Sequence, residues 1–380
     1  MTTRSAALTP LQKAKRVVLK VGSALLVDDA TGRIHHTWLH SLCDDIAMLR
    51  RQGKDVIVVS SGAVAVGRKP LGLVGKSLRL EEKQAAAAAG QAMLIHAYQE
   101  ALFHHGIPVA QVLLTIRDTE SRRQFLNASN TFENLLKMGV VPIVNENDTV
   151  ATQELRYGDN DRLGARVAQM VSADALILFS QDIDGLYTAD PTSDPNAEHI
   201  PVVDVLDAGI EGMAGTPHGH GSGGMVTKLA AAHICMSAGC HMAIAKGRTI
   251  YPVKALLDGA RCTWFVPEDE PQTARKRWLS GIMAPNGVLT IDAGATKALH
   301  CGKSLLPIGV TQIKGTFERG DVVVVEDADG HELALGLSAY DSADAERIIG
   351  HKTQDIQELL GYRGRDEIIH RNNLVLTRHA

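Results

Sequence analysis

Five short segments of the 380-residue chain hold residue types that could bind an anion and act on it. Lys20-Val21-Gly22-Ser23 closes an apolar run with a fixed positive charge and then a glycine, which lets backbone N–H groups approach an anion beside an ammonium. Ser60-Ser61-Gly62-Ala63-Val64 follows the apolar run Asp-Val-Ile-Val-Val, and its small residues give a substrate carboxylate close access to N–H donors. An ordinary helix N-cap would read the same way. Asn145-Glu146-Asn147-Asp148 and Gly158-Asp159-Asn160-Asp161 concentrate polar groups at the ends of apolar elements, where burial without partners is costly, so they suggest a polar ligand. Turn formation and capping are the alternative use. Gly221-Ser222-Gly223-Gly224-Met225-Val226-Thr227-Lys228 is a glycine loop running into a helix with a lysine in its first turn, a pattern suited to nucleotide phosphates.

Three apparent motifs fail on their context. Gly219-x-Gly221-x-x-Gly224 has the dinucleotide spacing, but a polar loop precedes it rather than a strand, and the acid wanted about 20 residues on is replaced by Ala243 and Ile244. Gly75-Lys76-Ser77 and Gly302-Lys303-Ser304 lack the glycine a P-loop needs five positions before, where Pro70 and Lys297 stand. The histidine pairs His35–His36, His104–His105 and His218–His220 match no metal-ligand spacing, and the five cysteines include no C-x-x-C pair. The cysteines read as reduced thiols, and no protein metal site is expected.

The elements that must position these residues alternate. Short β-branched runs at Arg16–Val21, Asp55–Ser60, Pro108–Leu114, Val140–Asn145, Ala175–Ser180 and His241–Lys246 are separated by amphipathic stretches at Thr37–Arg51, Glu81–Phe103, Thr119–Met138, Asn160–Val171 and Met225–Ala238. This predicts an α/β fold: a three-layer αβα sandwich on a mainly parallel sheet, with these polar segments at strand-to-helix junctions where open sheets bind ligands. The run Ala85–Ala89 predicts close helix packing. After Phe265 the pattern changes, and residues 268–280 read as a linker. Residues 281–380 carry short strands broken by Gly and Asp-Gly turns, then a helical stretch near Ser342–Leu360, and predict a small, barrel-like, β-rich domain. The catalytic domain is accordingly placed at 1–267.

Composition agrees with two globular domains: 45% hydrophobic and 22% charged residues exclude a disordered or collagen-like chain. No apolar run reaches the roughly 18 residues a membrane span needs, and the first residues lack a secretory pattern, so the expected place is the cytoplasm. Against 39 Lys and Arg stand 43 Asp and Glu, a net charge of −4 that announces no polyanionic partner.

In this order, SSGAVAVG, PIVNENDTV, YGDNDRLGARVA, DIDGLYTADP and GSGGMVTK resemble the amino-acid kinase family, specifically its glutamate kinases. The resemblance runs from about Lys15 to Arg371, with the segment from about Gly281 resembling the PUA domain that follows the kinase domain in that group. It implies ATP-dependent phosphorylation of the γ-carboxylate of L-glutamate to γ-glutamyl phosphate, the opening step of proline synthesis, with Mg2+ accompanying ATP. A carboxylate with a reference pKa of about 4.3 is already an anion at neutral pH and needs no general base, so the difficulty is bringing two anions together.

By the same resemblance, Lys20 is the lysine over the transferring phosphoryl group, Lys228 the one at the leaving ADP, and Asp161 the acid that orients both. Ser61, Gly62, Asp148 and Asn160 match glutamate-binding positions. Lys20, Gly22, Gln181, Asp182, Ser222, Gly223, Gly224, Met225, Val226, Thr227 and Lys228 match the nucleotide side. Two positions depart from the family pattern: Arg156 replaces a common lysine, and Gln181 stands where Ser or Thr is usual. The resemblance further implies feedback by L-proline, a homo-oligomer and functional coupling to γ-glutamyl phosphate reductase. Two other readings stay open: a kinase of this fold for another carboxylate, and an RNA-binding protein acting through the PUA-like segment. The second is disfavoured by charge, since Lys276 to Ala380 carries 12 Lys and Arg against 14 Asp and Glu.

Overall fold

A computed structural model describes residues 9–28, 30–151, 160–213, 224–271, 273 and 285–377. The chain divides into two compact units, Met1–Pro271 and Gln272–Ala380.

The first unit is built on an eight-stranded sheet. Its strands are β1 (Arg16–Val21), β2 (Asp55–Ser60), β3 (Val109–Leu114), β4 (Val141–Glu146), β5 (Ala175–Ser180), β6 (Val202–Val203), β7 (His241–Lys246) and β8 (Cys262–Phe265). The order across the sheet is β6-β8-β7-β5-β1-β2-β4-β3. All pairs are parallel except β7 with β8. The strands that the β-branched runs predict are all present, with β3 and β4 beginning one residue later than expected. The strands β6 and β8 were not foreseen: each is short, and β8 reverses direction, so neither fits the alternation of apolar run and amphipathic stretch.

Successive side chains of a strand point to opposite faces, and here that period decides which helices meet which residues. Val17, Leu19 and Val21 of β1 with Val56 and Val58 of β2 belong to one core, completed by α1 (His36–Arg51) through Trp38, Leu42 and Ile46 and by α3 (Leu80–Phe103) through Leu94 and Tyr98. Val18, Ile57 and Val59 belong to the opposite core, with α4 (Arg122–Lys137), α5 (Asn160–Met170) and α6 (Met225–Ser237). Both faces of the sheet are therefore covered, as the continuous apolar character of the parallel strands requires.

Between β2 and α3 lies the short helix α2 (Ala63–Arg68), which crosses α3 at two glycines. A Cβ on Gly67 would overlap the Ala86 carbonyl oxygen, and one on Gly90 would overlap that of Ala63. The close packing expected of the alanine run is thus realised, with Ala86 and Ala87 buried. The predicted helix over Thr119–Met138 is instead two, Ile116–Glu120 and α4, because Ser121 is extended at φ −74 and ψ 120.

The second unit is a mixed five-stranded sheet of β9 (Gly287–Ile291), β10 (Val310–Gly315), β11 (Val322–Glu326), β12 (Glu332–Leu337) and β13 (Leu374–Leu376), in the order β10-β9-β11-β12-β13. Among the described residues this ladder is open, with β10 and β13 as its two edges, where the sequence suggested a barrel. Its own core includes Leu289, Val323, Val325, Ile348 and Ile368. The helical stretch near Ser342–Leu360 is interrupted, giving helices at Ser342–Ile348 and Ile356–Leu360 with Gly350 left-handed between them.

Candidate active site

Lys20 is the fifth residue of β1 and shares the face of Val18, so its side chain is directed to the layer of α5 and α6 rather than to solvent. There it meets Asp161, the second residue of α5, in an ion pair between Lys20 Nζ and Asp161 Oδ1. Lys228, in the first turn of α6, donates from Nζ to Asp161 Oδ2 at 2.9 Å. One carboxylate thus spans two ammonium groups that arrive from different elements. All three are buried: Asp161 is 1% exposed, Lys20 7% and Lys228 8%.

Burial by itself pushes the Asp161 carboxyl up, but the two adjacent ammonium groups outweigh it and hold it below the usual carboxylate range. Two ammonium groups held together at one strand-to-helix junction suit phosphate or carboxylate oxygens as ligands.

The residue before Asp161 braces the neighbouring junction. Asn160 Nδ2 lies 2.9 Å from the Ser60 carbonyl oxygen, 2.9 Å from Ser61 Oγ and 2.8 Å from Asn145 Oδ1. Asn145 Oδ1 also accepts the Glu146 N–H at 2.9 Å. Since Ser61 Oγ accepts from Asn160, its own hydrogen remains to donate to a ligand oxygen. Gly62 follows with φ +105, a left-handed conformation in which any side chain would be strained, and a Cβ there would stand 3.0 Å from Val27 Cγ2. That turn aims the start of α2 at the same edge of the sheet.

Asp148 lies half-buried two residues beyond β4. Gly22, the extended residue after β1, caps the single turn Ser23–Leu26 and is half-buried. On the β5 side, Gln181 is half-buried and Asp182 is exposed, with Arg248 Nη2 3.7 Å from Asp182 Oδ1. At those exposures such a pair contributes little stability. Gly224 is the N-cap of α6, and Thr227 Oγ1 donates to its carbonyl at 2.7 Å; Met225 is half-buried and Val226 exposed. Ser222, Gly223 and Arg156 lie outside the described residues. The structure therefore gathers Lys20, Asp161 and Lys228 at one point and Ser61, Gly62 and Asn160 at a second joined to it through Asn160–Asp161.

Sequence reasoning passed over Tyr98, whose hydroxyl sits 3.2 Å from Ser60 Oγ beneath this turn. Its signal was a phenol at helical spacing from Leu94, Ala101 and Leu102, on the apolar face, where a buried hydroxyl needs a partner. Among the described residues, one group has the proximity of metal ligands: Asp327, Asp329 and His331 in the second unit. Its groups hydrogen-bond one another in the turn between β11 and β12, with Asp327 Oδ1 accepting the N–H groups of Asp329 and His331.

A model of the amino acid kinase family matches residues 15–246, and a PUA domain model matches residues 287–360. The glutamate 5-kinase of Paramagnetospirillum magneticum is 60% identical over 370 residues, covering 97% of this chain and 100% of its own. That of Rhodospirillum rubrum is 57% identical over 362 residues, 94% of this chain and 96% of its own. Among solved structures, carbamate kinase from Giardia lamblia bound to AMP-PNP superposes with a TM-score of 0.50 at 16% identity, over 67% of this chain and 99% of that one. The last likeness supports the fold alone. No helix among the described residues is long and apolar enough to cross a membrane. Since the family match takes in β1 through β7 with both braced junctions, and relatives align along their whole length, the chain belongs to the amino acid kinase family, beside the glutamate 5-kinases, with a PUA domain as its second unit.

Proposed function

We propose that this chain transfers the γ-phosphoryl group of ATP to the γ-carboxylate of L-glutamate, giving γ-glutamyl phosphate and ADP, the first step of proline biosynthesis. The observation that carries the reading is the pair Lys20 and Lys228 braced on one buried carboxylate, in a chain 60% identical to a glutamate 5-kinase. The attacking carboxylate oxygen forms the new P–O bond while the bond from the γ-phosphorus to the bridging oxygen breaks and its electron pair leaves with ADP. No proton is taken from the acceptor, so the chemistry asks for charge stabilisation and alignment rather than a base.

Lys20 would sit over the transferring phosphoryl group and Lys228 beside the departing β-phosphate. Asp161 would hold the two ammonium groups in place. Ser61 would donate its hydroxyl hydrogen to the glutamate, Gly62 would offer close backbone approach, and an ionised Asp148 would pair with the substrate ammonium. Gln181, Asp182 and the segment 222–228 would flank the nucleotide, with helix α6 directing its N-terminal N–H groups to the phosphates. Mg2+ suits this arrangement as a companion of ATP: both Asp161 oxygens are engaged by lysines, so the ion would be held mainly by phosphate oxygens, where it would neutralise charge on the transferring group. Feedback by L-proline, a homo-oligomeric state and coupling to γ-glutamyl phosphate reductase belong to the same proposal.

The test is a hydroxamate assay with ATP, Mg2+ and a panel of carboxylic amino acids, since hydroxylamine traps an acyl phosphate. Glutamate should be the preferred acceptor. Preference for N-acetylglutamate or aspartate would move the chain to another kinase of this fold.

A further inference from the structure

The residues proposed so far would bind the two substrates or hold the groups that do, yet the turn that presents Ser61 and Gly62 rests on a group with no assigned role. Tyr98 projects from the C-terminal part of α3 into the first core and is 0% exposed, among Leu94, Ala97, Ala101 and Leu102. Ser60, the last residue of β2, is also 0% exposed, and strand alternation turns its side chain to the same layer as Val56 and Val58, the layer of α3. The two oxygens are 3.2 Å apart.

The direction of the chain follows from the donor inventory. Ser60 Oγ donates to the Ser61 carbonyl at 3.3 Å, so its one hydrogen is committed there and Tyr98 O–H is the donor to Ser60 Oγ. A relay then runs from Tyr98 O–H to Ser60 Oγ–H to the Ser61 carbonyl. From the other side the Ser60 carbonyl and Ser61 Oγ both face Asn160 Nδ2. The turn is held between a phenol below and an amide above. Burial drives the Tyr98 hydroxyl well away from ionising, so it acts as a fixed neutral donor.

We propose that Tyr98 is a positioning residue for the acceptor substrate: through Ser60 it fixes the peptide plane between Ser61 and Gly62, and so sets the affinity for glutamate without acting on the nucleotide. This rests on the glutamate reading above. The two lysines lie on the opposite face of the sheet from Tyr98, so the relay reaches the acceptor side alone. Hydrogen-bonded buried networks act as units, which makes the proposal testable by coupling.

The experiment measures steady-state kinetics for both substrates, with melting curves, in the full chain and in Tyr98→Phe, Ser60→Ala and the double variant. Tyr98→Phe should raise the glutamate KM about five- to tenfold, the scale of one buried hydrogen bond, with kcat and the ATP KM nearly unchanged. In the Ser60→Ala background the further change Tyr98→Phe should leave the glutamate KM where it is, because its route to the turn has been removed. An unaltered glutamate KM in Tyr98→Phe would overturn the proposal, as would equal rises in both KM values or an undiminished effect in the Ser60→Ala background. Should Tyr98→Phe not fold, Ser60→Ala alone must raise the glutamate KM selectively, and its failure to do so is equally decisive. If the unsubstituted chain phosphorylates another acceptor instead, the glutamate reading falls, whereas normal glutamate turnover with insensitive variants removes this proposal only.

Discussion

At the scale of single residues, the two lysines are the groups whose charge should matter most in the transition state. Lys20→Ala and Lys228→Ala are each expected to lower kcat by about two to three orders of magnitude while the protein remains folded, since preorganised charge is used mainly where charge develops. The hydroxamate rate and the melting temperature together check this; full activity in either variant would sink the assignment. Elsewhere in the same unit a buried acid has the opposite electrostatic position. Asp45 on α1 accepts the backbone N–H groups of Val253 and Lys254 at 2.8 and 3.2 Å, capping the helix Pro252–Leu257. Burial outweighs these bonds and pushes its carboxyl up to about 6. The folded state therefore holds this proton more tightly than the unfolded chain, and stability falls as pH rises from about 4 to about 6. Relative to the natural chain, Asp45→Asn should gain about 1–3 kcal/mol between pH 4 and pH 7, read from denaturant melts at both pH values. A difference that does not vary with pH would refute the cause given.

At the scale of elements, the crossing of α2 on α3 is the contact with least room. Gly90→Ala should destabilise the first unit by about 1–3 kcal/mol, because the added methyl meets a backbone carbonyl that cannot rotate away. Thermal unfolding measures it, and an unchanged Tm would mean that the two helices are not seated as described. The six long parallel strands were legible because each is a mostly apolar run, and all but the edge strand β3 are largely buried on both faces. Strand β8 was not, since four residues, Cys-Thr-Trp-Phe, carry no resolvable period and its direction is set by its pairing with β7. The break at Ser121 was hidden for a related reason: no glycine or proline marks it, and residues 117–124 are all polar and carry no apolar period, while Thr115 and Asp118 cap the first short helix. Gly350, by contrast, was a visible stop that the expectation of one helical stretch ignored. At the site, residue types and their junctions could be read directly, but the meeting of Lys20 with Asp161 and of Asp161 with Lys228, 67 positions further on, is a product of the sheet order. Only the resemblance to a family anticipated it.

At the scale of the whole molecule, each unit has a core of its own: the two clusters flanking the eight-stranded sheet lie before Pro271, and the third lies in the second unit. Residues up to Pro271 belong with the first, since a Cβ on Gly239 would strike the Glu270–Pro271 backbone. A chain ending at Pro271 should therefore fold and phosphorylate glutamate at a rate near that of the full protein, with any change confined to regulation. Circular dichroism, a melting curve and the hydroxamate rate with and without proline decide the matter; a folded, inactive truncation would show that the second unit completes the site. The arrangement of Asn160 and Asp161 has a mechanical consequence. The two are consecutive at the start of α5, one holding the turn proposed for the acceptor and the other both lysines proposed for the donor. A displacement of that helix end carries both supports together, as a single bracket carries two lenses. Misalignment of that one helix end would therefore disturb both substrate sites at once.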